Sequence, residues 1–191
     1  MAGFEKGSSL KSSFTAIRTE LGEADWQRVL DALDPGDREI VAAPEKQNLV
    51  PTAVTGRFYT AISRVVCSGD RMCTERKLRA AGRRDADDML DGVFSVFARF
   101  VSPDQAFKRA GGMISSIYSG VTAESLPNAD GHGGVLKIIG LDDEPFASCV
   151  ISGWIERAIE RFGAQNASVV EREWAAGHDA AQTLVFDLSW D

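Results

Sequence analysis

Three segments of the last third of the chain carry regular apolar patterns: VLKIIGL (135–141), FASCVISGWIERAIERF (146–162) and TLVFDLSW (183–190). In the middle segment the apolar residues recur at spacings of one, three and four residues, which is typical of an amphipathic helix with one buried stripe. In the last segment apolar and polar residues alternate from Leu184 to Trp190, which is typical of a strand with one buried face. These patterns predict a sheet crossed by one helix.

Two further strand-like runs complete this unit. The residues from Val121 to Leu126 alternate loosely, and a turn-rich connection from Pro127 to Gly134 joins them to the run that starts at Val135. Ser168 to Trp174 precedes the final strand. The order of these elements predicts a β-β-α-β-β unit with a four-stranded antiparallel sheet, and hence an α+β fold.

The chain before Gly120 carries helical spacing in several runs, so we predict a helical layer packed on this sheet. Residues 1–10 are small and polar and indicate a flexible end. We therefore expect a single domain over residues 1–191, with a helical part at 11–120 and the sheet with its crossing helix at 121–191. Gly111 and Gly112 lie in the middle of the last predicted helix of the helical part. Glycine lowers helix stability relative to alanine, and close packing against a neighbour explains that cost better than room for a ligand.

A basic segment followed at once by acidic residues lies between two of the predicted helices. Internal charge balance on a solvated surface is the simpler interpretation, and a docking patch for an acidic partner is the alternative. The segment comprises Arg76, Lys77, Arg79, Arg83 and Arg84, followed by Asp85, Asp87 and Asp88.

Charge and composition exclude several classes of partner. The net charge of −7 over 191 residues argues against nucleic-acid binding, which needs a basic face. The apolar runs are short, so we expect no membrane span, and the N-terminus lacks the apolar core of a secretion signal. The three cysteines have no CxxC spacing and indicate buried or half-buried thiols in a reducing compartment. We expect a cytoplasmic protein.

The sequence offers little for catalysis or for cofactor binding. Its two histidines, His132 and His178, both lie in glycine-containing turns. A catalytic zinc site needs three convergent protein ligands and a structural one four, and no nucleophile elbow or phosphate loop is present. We predict no metal, no cofactor and no catalytic residue, and an enzyme with spatially assembled polar groups is the least favoured alternative.

What remains is a surplus of apolar residues on three predicted helices. These helices could enclose a hydrophobic pocket against the sheet, and a filled core is the alternative. The candidate pocket residues are Phe94, Phe97, Met113, Ile117 and Trp154.

Short motifs along nearly the whole chain resemble an uncharacterised, mainly myxobacterial protein family. They are Lys6-Gly7, Gly22 to Trp26 with Val29-Leu30 and Leu33 to Pro35, Phe97 to Pro103, Tyr118 to Gly120, Gly153 to Ala158, and Phe186 to Trp190. That family is similar to a superfamily of ligand-binding domains that includes haem nitric-oxide sensors, 4-vinyl-reductase-type sensor domains and subunits of the TRAPP vesicle-tethering complex.

The resemblance implies a helical layer on a four-stranded antiparallel sheet, frequent homodimers and an interior that holds a small ligand in some members. It implies neither zinc nor haem here. Trp174 and Leu184 stand roughly where zinc-binding cysteines would fall beside Cys149, and the proximal histidine and Tyr-x-Ser-x-Arg motif of haem sensors are absent.

We therefore predict a non-catalytic, sensor-like regulatory protein with an apolar small-molecule pocket, which forms a homodimer and signals through a separate protein partner. The alternative is a protein-interaction scaffold that resembles tethering-complex subunits and binds no small ligand. A solvent-exposed apolar patch on the helices would favour the scaffold.

Overall fold

The structure is a computed structural model, and it describes residues 3–91, 101–141, 146–172 and 183–191. Seven helices and seven strands lie in these ranges. In chain order they are β1 (Phe4–Lys6), α1 (Gly7–Leu21), α2 (Glu23–Asp31), α3 (Pro35–Ala42), β2 (Leu49–Pro51), α4 (Thr52–Val66), α5 (Arg71–Asp91), α6 (Pro103–Ile117), β3 (Tyr118–Ser119), β4 (Thr122–Pro127), β5 (Gly133–Ile139), α7 (Ala147–Arg161), β6 (Ser168–Glu171) and β7 (Thr183–Ser189).

The predicted C-terminal unit and the α+β class are confirmed. The four long strands form an antiparallel sheet in the order β4-β5-β7-β6, with Leu136 opposite Phe186 across the central pair. Leu136, Phe186 and Leu188 are buried on the inner face, as the alternation predicted. The connection between β5 and β6 contains α7, so the unit has the predicted β-β-α-β-β order.

A second, three-stranded sheet has the order β2-β1-β3 and was not predicted. Residues 1–10 had been interpreted as a flexible end, and this is corrected from Phe4 onward. Glu5 pairs with Val50 on one side and with Tyr118 on the other, and α1 begins at Gly7. Strands of two or three residues are too short to show a periodic pattern in the sequence. Their pairing partners also lie more than 40 residues away along the chain, so no local signal reveals them.

The helical layer contains the first of two apolar cores. Phe14, Trp26 and Phe58 meet edge to face at its centre, with ring centroids 5.0 and 5.6 Å apart. The second core lies between α6, α7 and the four-stranded sheet and includes Phe107 and Phe186. Helix α7 lies between the two cores, since its Val150 belongs to the first and its Ile159 to the second.

Helix α5 runs unbroken through the basic segment and Gly82, whereas the sequence analysis places this segment between two predicted helices. A Cβ atom at Gly82 would lie 2.1 Å from the carbonyl oxygen of Val150, and one at Gly153 would lie 2.1 Å from that of Arg79. Gly82 therefore allows α5 and α7 to approach closely and does not end a helix.

The charge balance of the basic segment comes from α7 and is not internal to the segment. Arg83 contacts Glu156 at 2.7 Å and Glu160 at 2.8 Å, both on α7, and Asp87 receives Arg157 at 2.9 Å. The interpretation of a solvated, self-balanced surface is therefore wrong for these residues. They form an ionic network between two helices.

The expectation of three free thiols is also corrected. Cys67, at the end of α4, forms a disulfide with Cys73 in the first turn of α5. The spacing gave no indication of this bond, because the turn at residues 68–70 brings the two cysteines together. Cys149 is free and half-buried.

The two adjacent glycines of α6 provide a direct test of the packing. A Cβ atom at Gly111 would lie 2.8 Å from the carbonyl oxygen of Ala123, whereas one at Gly112 would meet nothing within 4 Å. We expect Gly111→Ala to lower the free energy of unfolding by about 1–3 kcal/mol through overpacking. Gly112→Ala is the matched control and should raise it by up to about 1 kcal/mol. Urea unfolding measures both, and equal effects would contradict the close approach of α6 to β4.

Candidate functional site: an apolar cavity with an acidic end

A cavity of about 290 Å³ lies among α1, α5, α6 and α7, with β1 and β3 closing one side. Among the described residues, no side chain of the four-stranded sheet lines it. The sequence had indicated a pocket between the helices and that sheet, and this placement is corrected. The reason is that α6 and α7 supply the lining on this side, since Phe107 and Ile159 line the cavity and also belong to the core that packs on the sheet.

Three of the five predicted pocket residues are brought together. Met113 and Ile117 lie one turn apart on α6, and Trp154 lies on α7 across the cavity from them. Phe94 and Phe97 lie outside the described residues. The three residues therefore line the same cavity. That they bind a ligand stays a prediction.

Helices α6 and α7 together supply most of the described wall, and the apolar stripe of α7 recurs at helical spacing. Ile151, Trp154, Ile155 and Ala158 all line the cavity, and Leu90 of α5 completes this side. Residues three or four apart lie on one face of a helix, so this stripe forms a continuous apolar surface. Most side chains along the cavity therefore offer a ligand apolar contacts and no hydrogen bonds.

The opposite character appears at one end, where two carboxyl groups line the cavity. Glu5 of β1 and Asp85 of α5 are each only 4% exposed. Ser9 donates a hydrogen bond of 2.9 Å to Glu5 Oε1, and Tyr118 also hydrogen-bonds with Glu5. Asp85 accepts hydrogen bonds from two adjacent serines of α1, which are Ser12 on Oδ1 and Ser13 on Oδ2.

Burial changes the acidity of both groups. Loss of hydration raises the pKa of Glu5 from 4.5 to about 7, hydrogen bonds from Ser9 and Tyr118 oppose the change, and the charge of Asp85 adds to it. Burial likewise raises the pKa of Asp85, against the hydrogen bonds of Ser12 and Ser13. At neutral pH, Glu5 is therefore divided between its protonated and ionised forms.

Sequence reasoning missed both acids. Glu5 lies in the segment interpreted as a flexible end, and its burial depends on the distant strands β2 and β3. For Asp85 a signal was present: it follows the buried Leu78 by seven residues and Ala81 by four, which places it on the buried stripe of α5. A carboxylate at such a position indicates a special environment.

The other reactive side chains that the structure describes, His132 and Cys149, do not line the cavity. His132 is exposed in the β4–β5 turn, where its backbone N–H bonds to Asp130. His178 lies outside the described residues. Burial raises the pKa of Cys149 to about 11, so its thiol is a weak nucleophile at neutral pH. In the described ranges no group of three or more potential metal-ligating residues occurs.

Comparison with known proteins gives a likeness of fold. The chain is similar to a Cs H-NOX mutant that carries 4-cyano-L-phenylalanine, with a TM-score of 0.71 and 14% identity over 97% of this chain and 96% of that one. It is similar to an Fe(II) unliganded H-NOX protein mutant from K. algicida, with a TM-score of 0.70 and 10% identity over the same shares of the two chains. An oxygen-binding H-NOX domain related to soluble guanylate cyclases matches with a TM-score of 0.62 and 13% identity over 97% of this chain and 94% of that one.

No protein-family model and no curated protein matches the chain. At such low identities, the structural likeness shows a shared fold and does not establish a shared ligand. The TRAPP-like and myxobacterial parts of the sequence resemblance stay predictions.

H-NOX domains bind haem, so the cavity can be tested against that group. Among the described lining residues, none is a histidine or a cysteine, which are common ligands of haem iron. The two buried acids would repel the propionates of a haem, and Arg109, the one basic lining residue in the described ranges, lies exposed on α6. These residues do not fit a haem.

The buried acid predicts how stability depends on pH. Because the pKa of Glu5 is about 7 in the folded chain and 4.5 when exposed, the folded state binds more protons between these values. The free energy of unfolding should therefore fall as the pH rises through this window, by on the order of 3 kcal/mol. We expect Glu5→Gln to remove most of this dependence, with a smaller slope in the same direction left by Asp85.

Urea unfolding at about pH 5 and pH 8 measures the difference. Glu39→Gln is the control, since Glu39 is exposed on α3, and it should keep the slope of the wild type. Parallel slopes for the wild type and Glu5→Gln would contradict the burial of a titrating carboxyl at this position.

Proposed function

We propose that the chain is a non-catalytic, sensor-like binding module that holds a small apolar molecule in its cavity and signals through a separate protein partner. The observation that carries this proposal is the apolar cavity of about 290 Å³. This volume lies close to the lower end of ligand pockets, which run from about 300 to 1,000 Å³. Apolar walls of this kind hold water poorly and bind apolar molecules.

The position of the cavity suits a sensor. Helix α7 lines the cavity, and its Ile155 and Ile159 also belong to the core that packs on the four-stranded sheet, while α5 binds α7 through the ionic network. A ligand that prefers one placement of α7 would shift both the sheet and α5 with it. Such coupling requires only that the ligand bind two arrangements with different affinity. A structural neighbour is an oxygen-binding H-NOX domain related to soluble guanylate cyclases, and this supports a ligand-binding role.

The scaffold alternative lacks the feature that would favour it. Of the large apolar side chains exposed in the described part of the chain, only Met72 lies on a helix. The others, which are on strands, are Phe4, Leu49, Leu126, Ile139 and Val170.

A homodimer and a cytoplasmic location stay predictions. Light scattering of the purified chain measures whether it forms a dimer. No helix in the described ranges is long and apolar enough to cross a bilayer.

Filling the cavity tests the proposal. Ala110 of α6 lines the cavity, so Ala110→Phe places a ring inside it. We expect the neutral fluorescent probe N-phenyl-1-naphthylamine to bind the wild type, and the variant to bind it at least tenfold more weakly. Ala24→Phe is the matched control, because Ala24 is exposed on α2 and lines no part of the cavity.

Native mass spectrometry of the purified chain, before and after solvent extraction, gives an independent measurement. A retained adduct that is lost on extraction, and absent from Ala110→Phe, supports the proposal. Absence of probe binding to the wild type, or equal binding by the wild type and Ala110→Phe, would overturn it.

A further inference from the structure

The two carboxyl groups at the end of the cavity have no cationic partner within the described ranges. The groups that act on Glu5 are Ser9, Tyr118 and Asp85, and none of them is basic. The groups that act on Asp85 are Ser12, Ser13 and Asp88, and none of these is basic either. Among the residues that the structure describes, hydroxyl groups alone therefore compensate two buried acids that line a largely apolar space.

Such an arrangement is costly in the empty chain. Two neighbouring carboxylates in a site of low polarity repel each other, and each has lost its hydration. The free chain reduces this cost by keeping Glu5 partly protonated. A positive charge placed between the two groups would remove the repulsion and supply the missing counter-charge.

The geometry points to a ligand whose apolar body fills the cavity and whose protonated primary amine lies at Glu5 and Asp85. This inference rests on the proposed function and adds the chemical class of the ligand. An ammonium group has three N–H donors, and the two carboxylates offer it acceptors on separate elements, β1 and α5. The apolar stripe of α7 then covers the hydrocarbon part.

Other ligand classes suit the site less well. A carboxylic acid would add a third acidic group to the same end of the cavity. A bare divalent cation such as Ca²⁺ takes six to eight oxygen ligands, and no cluster of three or more potential metal ligands occurs in the described residues. A neutral alcohol could donate only one hydrogen bond and would leave the charge repulsion in place.

A matched series of small molecules tests the inference, since hexylamine, hexanol and hexanoate share one alkyl chain and differ only in the head group. Calorimetric titration of the wild type at about pH 8 should give hexylamine at least tenfold tighter than hexanol, with hexanoate the weakest. Glu5→Gln and Asp85→Asn should each reduce the preference for hexylamine over hexanol at least fivefold. Glu39→Gln is the control and should keep the full preference.

The pH dependence gives a second readout. Hexylamine stays protonated between about pH 6 and pH 8, whereas Glu5, with its pKa of about 7, loses its proton over that range. The groups that face the two carboxyls from α1, β3 and α5 are Ser9, Ser12, Ser13, Tyr118 and Asp88, and Arg109 lines the cavity from α6. Affinity for hexylamine should rise severalfold over this range in the wild type and stay nearly constant in Glu5→Gln.

The outcomes separate this inference from the proposed function. Hexanol binding to the wild type supports an apolar ligand site, whether or not the site prefers an amine head group. If hexanol does not bind, the result counts against the proposed function itself. Hexanol binding with no preference for hexylamine, or with a preference that survives both Glu5→Gln and Asp85→Asn, would overturn the amine assignment alone. Tighter binding of hexanoate than of hexylamine would overturn it as well.

Discussion

The close approach of α5 to α7 is the contact on which the rest of the structure depends. It is possible because Gly82 and Gly153 have no side chain at the points where each helix meets a backbone carbonyl of the other. A Cβ atom at either position would lie only 2.1 Å from that carbonyl oxygen. Arginines and carboxylates then pair across the two helices, as Arg83 does with Glu160 at 2.8 Å. Half-buried ion pairs of this kind add specificity of register more than stability. The register determines which side chains of the two helices face the cavity.

That register explains why an acid and a tryptophan share one cavity. Helix α5 contributes Asp85 and Leu90 to the lining, and α7 contributes Trp154 and Ile155. Burial of Asp85 costs free energy, because its carboxylate loses hydration. The apolar and ionic contacts between the two helices offset this cost, and the serines of α1 reduce it further. The acidic end of the cavity is thus maintained by packing elsewhere in the molecule.

The likeness to H-NOX domains concerns architecture alone. The likeness covers 97% of the chain at a TM-score of 0.71, while the described residues that line the cavity are mostly apolar, include two acids and contain no histidine. A common fold positions helices around a ligand space, and the side chains that line the space choose the ligand. The same architecture is therefore compatible with ligands of very different chemistry.

Local periodicity was enough to predict the four-stranded sheet and the crossing helix, because each pattern repeats within a few neighbouring residues. That Met113, Ile117 and Trp154 bind a ligand stays a prediction. Three features could not be predicted in this way: the burial of Glu5, the unbroken course of α5 through Gly82 and the bond between Cys67 and Cys73. Each depends on a partner that only the folded chain brings near. The pattern of apolar residues thus defines which elements form, whereas the environment of each polar group arises from contacts between elements that are distant along the chain.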